Sequence, residues 1–224
     1  QDFHIGLDDS ADDLVIGVGS ALGTTTCISI TDGRAVTVGE AGIASSIAGV
    51  TFFSDTTNGS IYTADVSGTD STAQYNTAYG IGALDAVTTG DKNTAVGYNA
   101  GTALTEGTGY NVFVGWSAAA ANTTGDFNTA LGAAALATAT TSDNNIAIGP
   151  SALYSSDTET HNLAIGRDAL NVVNSGGEYN IAIGSYSLDA LTSADSVVAI
   201  GYNAGTAVTT GGESVYIGYA CGDA

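Results

Sequence analysis

Large apolar and small residues alternate in a short segment that recurs along most of the chain. Residues 145–149 read NIAIG, and similar segments recur as NLAIG at 162–166 and as NIAIG at 180–184. Alignment on the last glycine gives nine copies, separated by 17 or 18 residues. Alternation with a period of two is typical of a β-strand, so the pattern predicts one such strand in each repeat. The aligned glycines are Gly80, Gly97, Gly115, Gly132, Gly149, Gly166, Gly184, Gly201 and Gly218.

An asparagine precedes the glycine by four residues in most copies. Val197 and Ser214 replace it in the last two copies. We predict that these asparagines form a structural ladder, in which side-chain amides hydrogen-bond from one repeat to the next. The seven asparagines are Asn76, Asn93, Asn111, Asn128, Asn145, Asn162 and Asn180.

The rest of the repeat is a second short apolar stretch, such as AVTTG at 86–90, and a polar turn that carries most of the acidic residues of the repeat region. Two short strands and two turns in 17 residues predict one coil of a parallel β-solenoid, since a helix-containing repeat needs a longer period. The fold class that we predict is all-β, a β-roll of about nine coils of 17 or 18 residues. At about 4.8 Å per coil it would be a rod of roughly 43 Å.

The two faces of the predicted strand differ in side-chain size. We expect large residues such as Ile148 and Ile165 to fill the inside of the roll, while Ala147 and Ala164 face outward. A flat, uncharged face of small residues is unusual for a solvent-exposed strand. We therefore expect it to pack against identical copies, most simply three about an axis. Phe113 and Tyr216 occupy the alanine position in two copies.

The N-terminal part of the chain has a different pattern. We predict a β-rich segment over residues 1–64, a linker over 65–75 and the β-roll array over 76–224. Alternating apolar runs flank Asp32-Gly33, and a second pair of runs flanks Asn58-Gly59. Each pattern predicts a β-hairpin.

The charge of the chain excludes two classes of partner. It has 23 acidic residues against 3 basic ones, a net charge of −20. Such a surface repels phosphate backbones and anionic lipids, so we expect no nucleic-acid partner. We expect no membrane insertion either, because no run approaches the roughly 18 apolar residues of a membrane span.

Residue patterns that indicate catalysis or a cofactor are nearly absent. The two histidines and two cysteines lack the spacing of metal ligands, and the repeated strands carry no acids. We therefore predict that the chain is not an enzyme and has no cofactor. The acidic residues leave two alternatives open, a Ca²⁺ site or solvated carboxylates. They are the N-terminal group Asp8, Asp9, Asp12 and Asp13, and the turn pair Asp126 and Asp143.

The residue after each glycine varies while the positions around it do not. Aromatic and basic side chains on a fixed scaffold suit contact with a sugar or protein, so this position is our candidate receptor-contact surface. The alternative is a turn-flanking position without a recognition role. The candidate contact residues are Tyr98, Trp116, Arg167, Tyr202 and Tyr219.

The repeat motif resembles two known kinds of array. NIAIG followed by AL, and NTAVGYNAG at 93–101, are similar to the head repeats of trimeric autotransporter adhesins, which form left-handed parallel β-rolls wound as trimers. They are also similar to the NTAVGYxA arrays of phage tail fibres, and the resemblance covers residues 76–222. It implies a homotrimeric structural fibre, extracellular or part of a virion, that contributes to host or surface attachment through a glycan or protein receptor.

Two further functions stay open at this point. One is a bacterial surface adhesin or a self-assembling extracellular filament. The other is a solenoid with its own activity, such as ice binding, which favours a regular threonine ladder. Threonine begins the strand in only three copies, Thr77, Thr94 and Thr129.

Overall fold

The computed structural model describes residues 72–173 and 176–223 with their side chains and, before residue 72, only the backbone of seven strands. This described part contains no helix, and therefore none that could cross a membrane. The chain divides into two compact units, residues 1–54 and 55–224. The strands are β1 Phe3–Asp8, β2 Asp13–Val18, β3 Thr26–Ile30, β4 Val36–Thr37, β5 Ser45–Ile47, β6 Val50–Asp55, β7 Ser60–Tyr62, β8 Thr77–Tyr79, β9 Thr94–Val96, β10 Val112–Val114, β11 Thr129–Leu131, β12 Ile146–Ile148, β13 Leu163–Ile165, β14 Ile181–Ile183, β15 Val198–Ile200 and β16 Val215–Ile217.

The first unit contains antiparallel strand pairs. Strands β1 to β4 form a sheet in which each strand pairs with the next, and β5 pairs with β6. Antiparallel pairing of β3 with β4 places Ile30 opposite Val36, on either side of the predicted Asp32-Gly33 turn. The residues Asp32-Gly33 and Asn58-Gly59 themselves lie outside the described part of the chain.

The second unit is a parallel β-solenoid, which confirms the predicted fold class. Strands β8 to β16 each contain three residues and pair in parallel with the next strand along the chain. Equivalent residues of successive repeats are register partners, as Ala147 is with Ala164. The first coil begins before the predicted array, because Ala73 is buried and the Gln74 carbonyl oxygen accepts a hydrogen bond from the Lys92 N–H at 2.8 Å.

Each coil contains one strand and not the two that we expected. The chain after the glycine forms consecutive turns, closed in the first coil by Ala83 N–H to Gly80 O and Val87 N–H to Leu84 O, both at 3.2 Å. Left-handed backbone angles recur here, for example at Leu84 with φ 50°. An extended strand cannot contain such residues, so the second apolar stretch turns inward instead.

The repeated glycine is required by the close approach of neighbouring coils. Gly149 has φ 128°, a conformation that side chains rarely adopt. A Cβ atom on Gly149 would lie 2.5 Å from the carbonyl oxygen of Gly166, the equivalent glycine of the next coil. The same clash would recur at the equivalent glycines of the array down to Gly201.

The strand phase that we expected is wrong. Ala147 and Ala164 are fully buried inside the coil, whereas Ile146 is 41% exposed and Ile148 is partly exposed. The interior receives the asparagine, the central residue of the strand and a leucine from the turn, such as Leu153. A coil of this size has no room for two isoleucines beside that leucine, so the larger strand residues point outward.

Phe113 and Tyr216, which occupy the alanine position in their strands, also point inward and not outward as we expected. Phe113 is fully buried, and a Cβ added to Gly101 would lie 2.7 Å from its ring. Gly101 stands at the position that leucine occupies in most coils. Gly205 and Gly222 stand at that same position around Tyr216, and a Cβ on Gly222 would lie 2.4 Å from the Tyr216 ring. A ring in the strand therefore replaces a leucine from the turn.

This exchange of volume can be tested by a swap. Phe113→Ala should destabilise the protein by about 3 to 5 kcal/mol, because it leaves a cavity. Gly101→Leu alone should also destabilise it, because the new side chain would meet the ring. The double variant should recover most of the loss, since Leu84 already adopts the left-handed conformation that Gly101 has. Denaturant unfolding of the four proteins measures the coupling, and additive losses would contradict this packing.

Candidate interaction surface

The outward strand residues form two columns along the second unit, which we call the outer sheet face. None of them is charged, and none is buried. Parallel in-register pairing aligns equivalent residues, so each column continues from coil to coil at about 4.8 Å. The first column is Thr77, Thr94, Val112, Thr129, Ile146, Leu163, Ile181, Val198 and Val215. The second column is Tyr79, Val96, Val114, Leu131, Ile148, Ile165, Ile183, Ile200 and Ile217.

The outer sheet face is longer and more apolar than a solvent face usually is. The second column holds only aliphatic residues and one tyrosine, and Ile217 at its last strand is 65% exposed. Nine strands span roughly 40 Å. Contiguous apolar surface of more than a few hundred Å² marks an interaction site in most proteins. The apolar face that requires covering is thus formed by isoleucine, valine and leucine, and not by the alanines.

The asparagines lie inside the coil and join successive coils. The Asn145 side-chain oxygen accepts a hydrogen bond from the Asn162 N–H at 2.9 Å, and its amide nitrogen donates to the Glu159 carbonyl oxygen at 2.8 Å. The last bond of the series ends on Val197, whose backbone N–H donates to the Asn180 side-chain oxygen at 2.9 Å. From Asn76 to Asn180, each asparagine side-chain oxygen thus accepts a hydrogen bond from the backbone N–H of the equivalent residue in the next coil.

The acidic residues of the turns also make structural hydrogen bonds. The Asp143 carboxylate accepts from the Asp126 N–H at 2.7 Å, and the Asp126 carboxylate accepts from the Gly109 N–H at 2.8 Å. The carboxylates of Asp91 and Asp195 likewise accept a hydrogen bond from a backbone N–H of the preceding coil. Each carboxylate therefore holds a backbone N–H that the turn leaves unpaired.

These contacts bear on the Ca²⁺ alternative. Among the residues that the structure describes, no group of three or more histidine, cysteine, aspartate or glutamate side chains is arranged to hold a metal ion. In the first unit, strand register places Asp8 opposite Asp13. Asp9 and Asp12 lie outside the described residues.

The column that follows the glycine is exposed wherever it carries a candidate contact residue. Trp116 is 59% exposed and Tyr219 is 80% exposed, and Tyr98, Arg167 and Tyr202 are also exposed. Tyr98 and Trp116 occupy adjacent coils, and so do Tyr202 and Tyr219, whose rings stack at a centroid distance of 5.6 Å. Arg167 lies on a coil between these two pairs. The fold brings the five residues into one column, although not into one contiguous cluster.

A second exposed column, which the sequence interpretation missed, precedes the asparagine. Its residues have left-handed backbone angles, such as φ 59° at Tyr179. Rings stack along it, Tyr110 on Phe127 at 5.3 Å and His161 on Tyr179 at 4.8 Å between centroids. The signal in the sequence is an aromatic residue or histidine before the asparagine in five of nine copies. We call this the ring column: Tyr75, Lys92, Tyr110, Phe127, Asn144, His161, Tyr179, Ser196 and Glu213.

One carboxyl near the last coils has a shifted pKa. Partial burial raises the pKa of Asp189, and the carboxylates of Asp168 and Asp223 raise it further. The folded protein therefore holds this proton more tightly than the unfolded chain does. Its contribution to stability is present at low pH and is lost as the pH rises through the raised pKa.

Comparisons of this chain with protein-family models, with curated proteins and with solved structures gave no match.

Replacement of one buried asparagine tests the ladder. Asn145→Val should leave the Asn162 N–H and the Glu159 carbonyl without these partners, at a cost of about 1 to 3 kcal/mol for each buried group. Asn144→Lys is the matched control, because Asn144 is exposed and Lys92 occupies the same slot of another coil. Equal melting temperatures for the two variants would show that the ladder does not stabilise the array.

Replacement of Asp189 tests the effect of its shifted pKa. Asp189→Asn should raise the melting temperature at neutral pH, because the amide has no charge to desolvate or to be repelled. The gain should be small, since the site is only partly buried, and it should disappear in acid, where the carboxyl is protonated. A melting-temperature series against pH measures this, and a gain that persisted unchanged in acid would contradict the sign.

Proposed function

We propose that this chain is a structural subunit of an extracellular or virion fibre, assembled from copies of itself through the outer sheet face. The observation that carries the proposal is the pair of uncharged columns along nine strands. Burial of such a surface stabilises association by roughly 25 cal/mol per Å² of apolar area before the costs of association are met.

A second copy of this chain is the occupant that the outer sheet face fits best. Another copy repeats its side chains at the same interval of about 4.8 Å, so rows can interdigitate along the whole length. The charge distribution agrees with this, because strands β8 to β16 carry no charged residue. The resemblance to fibre and adhesin repeats supports three copies about an axis. In such a closed arrangement every copy buries the same surface.

The second part of the proposal concerns attachment. In a fibre built this way, the column after the glycine carries the exposed rings of Tyr98, Trp116, Tyr202 and Tyr219, with Arg167 between them. Exposed aromatic rings provide flat contact area for sugars and protein side chains at a low entropy cost. We propose that these residues contact a glycan or protein receptor on a cell surface.

Introduction of charge into the outer sheet face tests the assembly. Ile148→Asp combined with Ile165→Asp should disperse the assembly, because two carboxylates would be buried against each neighbouring copy. Each coil should still fold, since both side chains point away from its interior. Light scattering should give a multiple of 22.1 kDa for the parent protein, with three as the expected number, and 22.1 kDa for the variant.

The matched control places the same charge at a turn. Thr124→Asp combined with Thr141→Asp, both at exposed positions, should leave the assembly and the melting temperature unchanged. A monomeric parent protein would overturn the proposal, and so would a double isoleucine variant that stays assembled. End-to-end polymers seen by electron microscopy would favour the filament alternative over a fibre of defined length.

A further inference from the structure

A surface cavity of about 560 Å³ interrupts the ring column near its C-terminal end. Tyr179, Asp195, Ser196 and Glu213 line it, together with residues of the turns at 193–194 and 211–212. The cavity exists because serine and glutamate follow Tyr179 in the column, whereas five of the seven coils up to Tyr179 carry a ring there. It lies at the turns and not on the outer sheet face.

One face of the Tyr179 ring is already covered. His161, one coil earlier in the column, stacks on it with 4.8 Å between centroids and 22° between the ring planes. The next coil offers only Ser196, whose side chain is too short to cover the opposite face. Tyr179 is accordingly 56% exposed and presents its free face to the cavity.

Two carboxylates share the cavity with that ring. Asp195 is held in place because its carboxylate accepts the Glu178 N–H at 2.8 Å and its carbonyl oxygen accepts the Glu213 N–H at 3.1 Å. Glu213 itself is exposed. Lys92 and Arg167, the basic residues that the structure describes with side chains, do not line this cavity. Its negative charge is thus balanced by no basic side chain among the described residues.

The same column shows what such an arrangement attracts. The Lys92 ammonium nitrogen lies 4.7 Å from the centroid of the Tyr110 ring, while Phe127 stacks on Tyr110 from the next coil. Tyr110 is thus a ring with an aromatic neighbour on one side and a cation on the other. Tyr179 has the aromatic neighbour and lacks the cation.

We infer that the cavity between Tyr179, Asp195 and Glu213 binds an organic cation of the alkylammonium class, with the cationic group on the free face of the tyrosine. The ring quadrupole and the two carboxylates attract the same charge. Methylated ammonium groups suit the site better than a small metal ion, because they shed water readily and offer methyl groups to the ring. The inference goes beyond the proposed fibre and does not depend on its receptor.

The test uses choline as the probe and 3,3-dimethylbutan-1-ol as its neutral counterpart of the same shape. Titration of the full chain by saturation-transfer NMR should show choline binding and binding of the neutral alcohol that is about tenfold weaker. Tyr179→Asn should lower the affinity for choline by a similar factor. Asparagine is accommodated at this backbone conformation, since Asn144 holds it in the same column with φ 58°.

Two lysine variants separate the site from the general negative charge of the protein. Ser196→Lys should abolish choline binding, because the new ammonium would cover Tyr179 as Lys92 covers Tyr110. Asn144→Lys adds the same charge to the same column outside the cavity and should leave the affinity within about twofold of the parent protein. Equal losses in the two variants, equal affinity for choline and the neutral alcohol, or undiminished binding by Tyr179→Asn would each overturn the inference.

Discussion

The narrow interior of the coil is the constraint on which the rest of the structure depends. Seventeen residues enclose a space that one leucine, two small residues and an asparagine nearly fill, as Leu153, Ala147, Ala152 and Asn145 do in one coil. Neighbouring coils approach so closely that Gly149 has no room for a Cβ atom beside Gly166. The large aliphatic residues of each strand are then forced to the outside, where they generate the apolar face that calls for a partner.

Because the interior is fixed by size, the outside divides into columns that can vary independently. The strand columns stay uncharged, the acids of the turns hold backbone N–H groups, and two exposed columns carry rings. Changes such as Tyr98 to Trp116 along one column alter the surface without altering the packing beneath it. Each coil therefore contributes one side chain to a recognition surface on this scaffold, at a fixed spacing of about 4.8 Å from its neighbours.

The sequence was sufficient to predict the solenoid and its period, because alternation and spacing are local properties that nine copies repeat. Which residues of the strand face the interior was not predictable from hydrophobicity alone. Hydrophobicity places Ile148 inside, whereas the small volume of the coil interior accommodates Ala147 and leaves Ile148 outside. A signal was nevertheless present, since Gly101 beside Phe113 and Gly205 beside Tyr216 vary together as contacting residues do. The ring column was not predicted, because neither the left-handed backbone angle of the residue before Asn180 nor the stacking of His161 on Tyr179 follows from hydrophobic periodicity.

The end of the asparagine ladder has a consequence for how the array opens. Hydrogen bonds from buried asparagine side chains join each coil to the next as far as Val197. Beyond that point the coils of β15 and β16 are joined by backbone pairing, by packing and by an exposed hydrogen bond from the Thr206 hydroxyl to the Asp223 carboxylate. Local unfolding samples the least secured segment most often. Fraying should thus begin at the coils of β15 and β16 and advance toward Asn180, so that amide hydrogens exchange faster there than in the coils that the asparagine ladder joins.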